Sequence, residues 1–318
     1  MTGEFEPGRL QQALEAGQIT PVEPEFHEPL ALLAACEASS PLVFSSPHSG
    51  RIYPARFLEA TKLDLATLRR SEDAFVDELF RPAAELGAPM LCAKFPRAYL
   101  DLNREAYELD QRMFEDALPE SANLRSLRVA AGLGTIPRVV ADAREIYREK
   151  LKVADALERI SGLYEPYHDA LGQLMNRARQ EHGVAVLIDC HSMPTLMVRD
   201  PASTRGEKRR VDFVIGDRFG ASCEGRFADA IEETLRGLGY NVHRNRPYAG
   251  GFITEHYGRP RAGRHAVQIE VARSLYMDEA TLEPHDRFEI VAGHLREAIG
   301  ELLRVIGDGG AAMRLAAE

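Results

Sequence analysis

Short apolar runs alternate with amphipathic stretches along most of the chain. The first run, 41–45, contains β-branched and aromatic residues and ends at the turn signal 46–50. In 64–86 apolar residues recur at helical spacing, and a glycine followed by a proline ends the pattern. The run 184–188 is apolar throughout, which is typical of a strand buried on both faces. Further strands are predicted at 90–95, 212–215, 240–244 and 266–271.

Longer helical stripes lie between these strands. One broad stripe covers 141–180, where Pro166 is expected to kink or break the helix. Two more helices are predicted at 223–238 and 284–306. Strands that alternate with helices predict an α/β protein with a central, largely parallel sheet. Residues 1–40, which are rich in proline and glutamate, are predicted to form an N-terminal arm, and 41–318 a single α/β domain.

Charge and cysteine content narrow the classes of partner. The 39 Lys and Arg residues against 49 Asp and Glu give a formal net charge of −10, which argues against nucleic acid or an anionic membrane as the main partner. The chain contains neither a secretory signal pattern nor an uncharged apolar run of the ~18 residues that a membrane span needs. Its four cysteines lie far apart, which fits neither a disulfide framework nor a thiolate zinc site. We therefore expect a cytoplasmic protein.

Three polar clusters lie at the carboxyl ends of predicted strands, at 46–50, 189–192 and 268–270. Side chains at the carboxyl ends of strands in an open α/β sheet collect at one edge, where ligands bind. Two histidines and a carboxylate from separate strand ends match the ligand set of a catalytic zinc site, and we expect His48 and His191 to be the two histidines. Asp189 either orients the imidazole of His191 or caps the following turn.

Five motifs in this order resemble those of the N-formylglutamate amidohydrolases, over roughly 41–296. They are Ser46-Pro47-His48-Ser49-Gly50, Asp101-Leu102-Asn103-Arg104, Asp189-Cys190-His191-Ser192, Asn245-Arg246-Pro247-Tyr248 with Gly250-Gly251, and Gln268-Ile269-Glu270. Because that family is similar to aspartoacylase and the zinc carboxypeptidases, the resemblance implies a three-layer α/β/α fold with a central mixed, largely parallel sheet. It also implies one zinc ion per chain.

The resemblance further implies an activity, the zinc-dependent hydrolysis of N-formyl-L-glutamate to formate and L-glutamate in histidine degradation. Glu270 matches the general base of the family, although an ion pair with a cation such as Arg97 is the rival role. Arg97 is placed like the arginine that polarises the scissile carbonyl. The small dicarboxylate N-acyl amino acid needs fixed cationic and polar partners. Those partners are expected to be Asn103, Arg104, Arg246 and Tyr248.

The third zinc ligand departs from the pattern of aspartoacylase-like enzymes, which carry a glutamate three residues after the first histidine. Here that position is Arg51, a cation that cannot bind zinc. We expect Asp73 to supply the carboxylate, with Glu72 as the second choice. The alternative is that these acids complement the dipole at the start of a helix.

Two other functions stay open at this point. Within enzymes, the alternative is a related zinc deacylase or carboxypeptidase that acts on a different N-acyl amino acid. From a different class, it could be a non-catalytic carboxylate-binding protein of the same fold. The presence of Glu270 together with the two histidines argues against the second alternative.

Overall fold

The computed structural model of the chain describes residues 22–33, 40–199 and 208–315. Its strands are β1 (Leu30–Leu33), β2 (Leu42–Ser46), β3 (Met90–Ala93), β4 (Val139–Val140), β5 (Arg144–Glu145), β6 (Ala185–Met193), β7 (Leu196–Arg199), β8 (Lys208–Val211), β9 (Phe213–Gly216), β10 (Val242–Arg244), β11 (Arg264–Ala272), β12 (Met277–Asp278) and β13 (Glu283–Pro284). Its α-helices are α1 (Ala55–Ala60), α2 (Leu65–Arg69), α3 (Val76–Ala84), α4 (Leu127–Ala130), α5 (Val153–Arg159), α6 (Glu165–His182), α7 (Gly225–Gly237), α8 (Phe252–Tyr257) and α9 (Phe288–Leu315). Within the described part of the chain, no helix combines the length and the hydropathy that crossing a bilayer requires.

Seven strands form the central sheet, in the order β1-β3-β2-β6-β11-β9-β10. The long strand β6 pairs in parallel with β2 on one side and with β11 on the other. Strand β9 runs antiparallel to β11 and parallel to β10, so the sheet is mixed. Strand β6 and all but the first residue of β11 are buried, as their apolar sequences predict. The predicted α/β fold with a central mixed, largely parallel sheet is confirmed.

One of two compact units contains the described residues up to Ala31, Pro47–Glu72 and Cys92–Gln173. Aromatic side chains form much of its core. The ring of Tyr99 contacts Phe26 and Phe57 edge-on, with centroids 5.6 and 5.4 Å away. The buried guanidinium of Arg159 lies 3.8 Å from the Tyr99 ring centroid and donates to the Tyr99 carbonyl oxygen. Cation–π contact and hydrogen bonding therefore compensate the burial of this charge.

The other unit contains Leu32–Ser46, Asp73–Leu91 and the chain from Leu174 onward. It holds β2, β6, β9, β10 and β11, and its helix α9 packs against α3 and α7. The face of α9 that packs is apolar and buried, as a helix at the edge of a core requires. Fully buried residues of this face include Leu295, Ile299 and Leu302.

The predicted division into an arm, 1–40, and one domain, 41–318, stays a prediction. Within the predicted arm, β1 is a strand of the central sheet.

Two predicted helices are interrupted. The stretch 64–86 forms α2 and α3, separated by a turn in which Phe75 has a left-handed backbone with φ of 62°. The stretch 141–180 begins with irregular structure and β5, and only then continues as α5, a π-helical turn at Ile160–Tyr164, and α6. Pro166 lies two residues after the end of this π turn, in the first turn of α6. Its missing N–H removes one helical hydrogen bond, which explains the local irregularity.

The close approach of two backbone segments at Gly50 generates a stability prediction. A Cβ atom at this position would overlap the backbone carbonyl of Phe95. We expect Gly50→Ala to lower the free energy of unfolding by more than about 2 kcal/mol, because backbone atoms cannot move aside as a flexible side chain can. The matched control is Gly237→Ala in α7, where a Cβ meets no atom within 4 Å. This control is expected to be neutral or to stabilise by up to about 1 kcal/mol.

Urea unfolding of the two variants and the wild type measures both effects. Equal stability of Gly50→Ala and the wild type would contradict the packing described here.

Candidate active site

The first predicted histidine, His48, follows the carboxyl end of β2 and is 1% exposed. Its Nε2 lies 2.8 Å from Oδ1 of Asp101, whose Oδ2 accepts from Arg97 at 2.8 Å and pairs with Arg104 at 3.3 Å. Burial alone would raise the pKa of Asp101, but Arg104, Arg97 and His48 hold it well below its ordinary value. Because an ionised carboxylate only accepts hydrogen bonds, Nε2 of His48 carries the proton.

The Asn103–Arg104 pair lies beside this carboxylate. The backbone N–H of Asn103 donates to Asp101 Oδ1 at 2.9 Å. The guanidinium of Arg104 donates through Nε to the carbonyl oxygen of Leu133 and through Nη1 to that of Asn103, each at 2.7 Å. These bonds hold Arg104 in one orientation. The predicted role of Asn103 and Arg104, contact with a substrate carboxylate, stays a prediction.

The second predicted histidine, His191, lies near the carboxyl end of β6. Its Nε2 is 3.0 Å from Oδ2 of Asp189, and its Nδ1 is 2.9 Å from Oδ2 of Asp73. Asp189 also accepts from the hydroxyl of Ser45 at 3.2 Å. Burial alone would lower the pKa of His191, but the carboxylates of Asp189, Asp73 and Glu270 raise it well above its ordinary value. Asp189 thus contacts the imidazole, as the orienting role requires.

Asp73 lies in the turn that separates α2 from α3, and it is 2% exposed. Its Oδ1 accepts from the Ser192 hydroxyl at 3.2 Å and from Arg273 Nη2 at 3.3 Å. Arg273 also donates through Nε to the Ser192 hydroxyl at 3.1 Å. Arg273 was not among the predicted site residues. The one sequence feature that could have indicated it is its position three residues after Glu270.

The second-choice ligand, Glu72, has other partners. Its Oε1 accepts from the Tyr53 hydroxyl at 2.7 Å and from Arg69 Nε at 3.1 Å. Arg51, which stands at the position where a glutamate ligand was sought, is exposed. These contacts favour Asp73 over Glu72 as the carboxylate ligand.

Three of the predicted residues form a group that could hold a metal ion. His48, Asp73 and His191 are all buried, and one ligand atom of each lies within 4.8 Å of the others. Two imidazoles and one carboxylate are a common donor set for catalytic zinc. Each imidazole also has a carboxylate at its other nitrogen, Asp101 for His48 and Asp189 for His191. Such outer carboxylates fix the tautomer and orientation of metal-binding histidines, so the residues fit a zinc ion.

The predicted general base, Glu270, lies on β11 directly opposite His191 on the neighbouring parallel strand. It is 8% exposed, and its Oε1 accepts from the side-chain amide of Gln268 at 2.8 Å. Alternate residues of a strand point to the same face, which accounts for this contact. No separate role was predicted for Gln268, although it belongs to the same motif as Glu270.

Arg246 and Tyr248 follow β10 in the loop 245–251, which we call the strap. Arg246 is exposed and Tyr248 is half-buried. The strap begins at Asn245, which has a left-handed backbone with φ of 61° and exchanges two hydrogen bonds with Asp217. Asparagine tolerates this conformation better than most residues. Contact of Arg246 and Tyr248 with a substrate stays a prediction.

The fold and the site define an α/β protein with a candidate metal centre. One of its histidines lies near the carboxyl end of a central strand, and the other lies just beyond such an end. The model of the N-formylglutamate amidohydrolase family matches residues 40–277. The chain belongs to this family, and it is an enzyme of the amidohydrolase class.

Known proteins agree with this assignment. The chain is 31% identical over 269 residues to an N-formylglutamate deformylase from Pseudomonas aeruginosa, covering 83% of this chain and 92% of the relative. It is 29% identical over 272 residues to an N-formylglutamate deformylase from Pseudomonas putida, covering 84% and 92%. The crystal structure of an N-formylglutamate amidohydrolase from Ralstonia eutropha JMP134 superposes with a TM-score of 0.79 and 35% identity, over 88% of this chain and 99% of that one.

The buried cation Arg273 generates a prediction about stability. Arg273→Met removes a positive charge from a region that also contains the carboxylates of Asp73, Asp189 and Glu270. We expect the metal-free protein to lose about 3 kcal/mol of unfolding free energy, because removing one partner leaves buried charge uncompensated. The control is Arg296→Met, where the side chain is 49% exposed and a loss below about 1 kcal/mol is expected.

Urea unfolding after treatment with a chelator excludes any contribution from bound metal. A loss for Arg273→Met no larger than for the control would contradict a compensating role for this guanidinium.

Proposed function

We propose that this protein hydrolyses the formamide bond of N-formyl-L-glutamate, yielding formate and L-glutamate, with one zinc ion per chain held by His48, Asp73 and His191. The observation that carries the proposal is that three buried residues each place one ligand atom within 4.8 Å of the others, in a chain of this family. The names of the curated relatives, both N-formylglutamate deformylases, support the choice of substrate.

In this proposal both histidines bind the metal through Nδ1. The support is that Nε2 of His48 contacts Asp101 and Nε2 of His191 contacts Asp189. When bound, zinc supplies Lewis-acid polarisation that makes water nucleophilic near neutral pH. The two outer carboxylates hold the imidazole rings in place and increase their basicity.

Glu270 acts as the general base and then as the general acid. It accepts a proton from the attacking water, whose oxygen forms a bond to the formyl carbon. It then gives a proton to the nitrogen as the C–N bond breaks, so that glutamate leaves as an amine rather than as an amide anion. The position of Glu270 opposite His191 on a parallel strand supports this role.

Arg97 stabilises the negative charge that grows on the formyl oxygen during attack. The support is the hydrogen bond from Arg97 to Asp101, because the same carboxylate also contacts His48, a proposed zinc ligand. A donor that is already oriented requires no reorganisation when the charge develops.

The two carboxylates of the substrate are bound by Asn103, Arg104, Arg246 and Tyr248. Planar guanidinium groups match carboxylates with two parallel hydrogen bonds. The orientation of Arg104 by the carbonyl oxygens of Leu133 and Asn103 supports its role, because an ordered side chain loses less entropy on binding.

A cytoplasmic location and a place in histidine degradation form the last part of the proposal. The support for the location is chemical: the three cysteines in the described residues are buried free thiols, as expected in a reducing compartment. The support for the pathway is the family resemblance of the motifs.

Formate release by the purified protein tests the reaction and its metal together. The chelated protein is expected to be inactive, and one equivalent of zinc per chain is expected to restore turnover. His191→Ala should abolish stoichiometric zinc binding, whereas the control His182→Ala, at the exposed end of α6, should keep it. Full activity of the chelated protein would contradict the metal assignment.

A substrate panel tests the specificity. N-formyl-L-glutamate is expected to exceed both N-acetyl-L-glutamate and N-formyl-L-leucine in kcat/KM by about tenfold or more. A preference for the acetyl compound would favour a related deacylase instead. Binding of these compounds without turnover would identify a carboxylate-binding protein.

A further inference from the structure

The side chain of Gln268 links strand β11 to the strap. It lies on β11 two positions before Glu270 and is 4% exposed. Its Nε2 donates to Oε1 of Glu270 at 2.8 Å, and its Oε1 accepts from the backbone N–H of Gly251 at 3.0 Å. One amide side chain therefore contacts both the proposed base and the last residue of the strap.

The chemistry of the two partners defines the orientation of this amide. The Gly251 N–H can only donate, so the amide oxygen must face it. A carboxylate of Glu270 can only accept, so the amide nitrogen must face that side. No flipped orientation of Gln268 satisfies both partners. A glutamate at 268 could accept from Gly251, but it would place a second carboxylate against Glu270.

The rest of the strap is held by backbone contacts near the end of β9. The Arg218 N–H donates to the Ala249 carbonyl oxygen at 2.8 Å. A Cβ atom on Gly216 would lie 2.8 Å from the carbonyl carbon of Ala249, so the strap packs directly on this strand. At the other end, Asn245 is bound to Asp217. Gln268 adds the side-chain link that connects this strap to Glu270.

We infer that Gln268 is a positioning residue whose amide fixes the carboxylate of Glu270 and ties it to the strap that carries Arg246 and Tyr248. This inference rests on the proposed function, in which Glu270 is the base and the strap contacts substrate. It deepens that function, because binding of the substrate carboxylates and orientation of the base then depend on one buried amide.

Two substitutions in the zinc-loaded enzyme test separately the hydrogen bond of Gln268 to Glu270 and its hydrogen bond from Gly251. Gln268→Glu keeps the acceptor for Gly251, loses the donor to Glu270 and places a second carboxylate beside it, so kcat should fall about tenfold or more while KM stays within about twofold. Gln268→Met loses both bonds, so KM should rise in addition to the fall in kcat. Gln180→Met, on the exposed face of α6, is the control and should change neither constant.

A double-mutant cycle identifies the residue through which Gln268 acts. Glu270→Gln should lower kcat strongly, and adding Gln268→Met to it should lower kcat little further, because the base that Gln268 orients is already removed. Hydrogen exchange of the Gly251 amide gives a readout without turnover. Exchange should be faster than in the wild type in Gln268→Met and near the wild-type rate in Gln268→Glu.

Three results would overturn the positioning role alone. They are an unchanged kcat in Gln268→Glu, losses of kcat that multiply in the double-mutant cycle, and unchanged hydrogen exchange of the Gly251 amide in Gln268→Met. Full kcat in Glu270→Gln would overturn the base assignment of the proposed function, and the positioning role with it.

Discussion

The site depends on one electrostatic constraint: carboxylates buried near the ends of the central strands must face positive charge. Asp101 contacts Arg97 and Arg104, and Asp73 contacts Arg273. An isolated buried carboxylate would cost several kcal/mol or would take up a proton. These carboxylates also contact the imidazoles, so the same carboxylates that require charge compensation orient the histidines.

Much of this arrangement could be predicted from local patterns. The apolar runs of β2, β6 and β11 identify strands, and the carboxyl ends of parallel strands lie at the same edge of a sheet. That rule predicts that His48, His191 and Glu270 meet at one edge of the sheet. The order β2-β6-β11, which makes the strands of His191 and Glu270 neighbours, comes from the structure. The choice of Asp73 over Glu72 had no geometric basis in the sequence. Its basis in the structure is the hydrogen bond between Asp73 and His191.

Other parts could not be predicted, because they depend on contacts between distant segments. Helical periodicity runs through 64–86 without a visible break, yet the left-handed Phe75 interrupts it and leaves Asp73 in a turn. Nothing in the local sequence of Arg273 indicates that it meets a carboxylate 200 positions away. In the sequence Gln268 resembles an ordinary strand residue, because its role depends on the contact with the strap at Gly251. Periodicity describes each element alone, whereas these roles arise from pairs of elements.

The central claim is that His48, Asp73 and His191 bind one zinc ion. Anomalous diffraction at the zinc absorption edge, from crystals of the zinc-loaded protein, tests it most directly. We expect one strong peak per chain, about 2.0–2.2 Å from Nδ1 of each histidine and from a carboxylate oxygen of Asp73. A zinc ion bound by other residues, or one from which His48 is absent, would contradict the account.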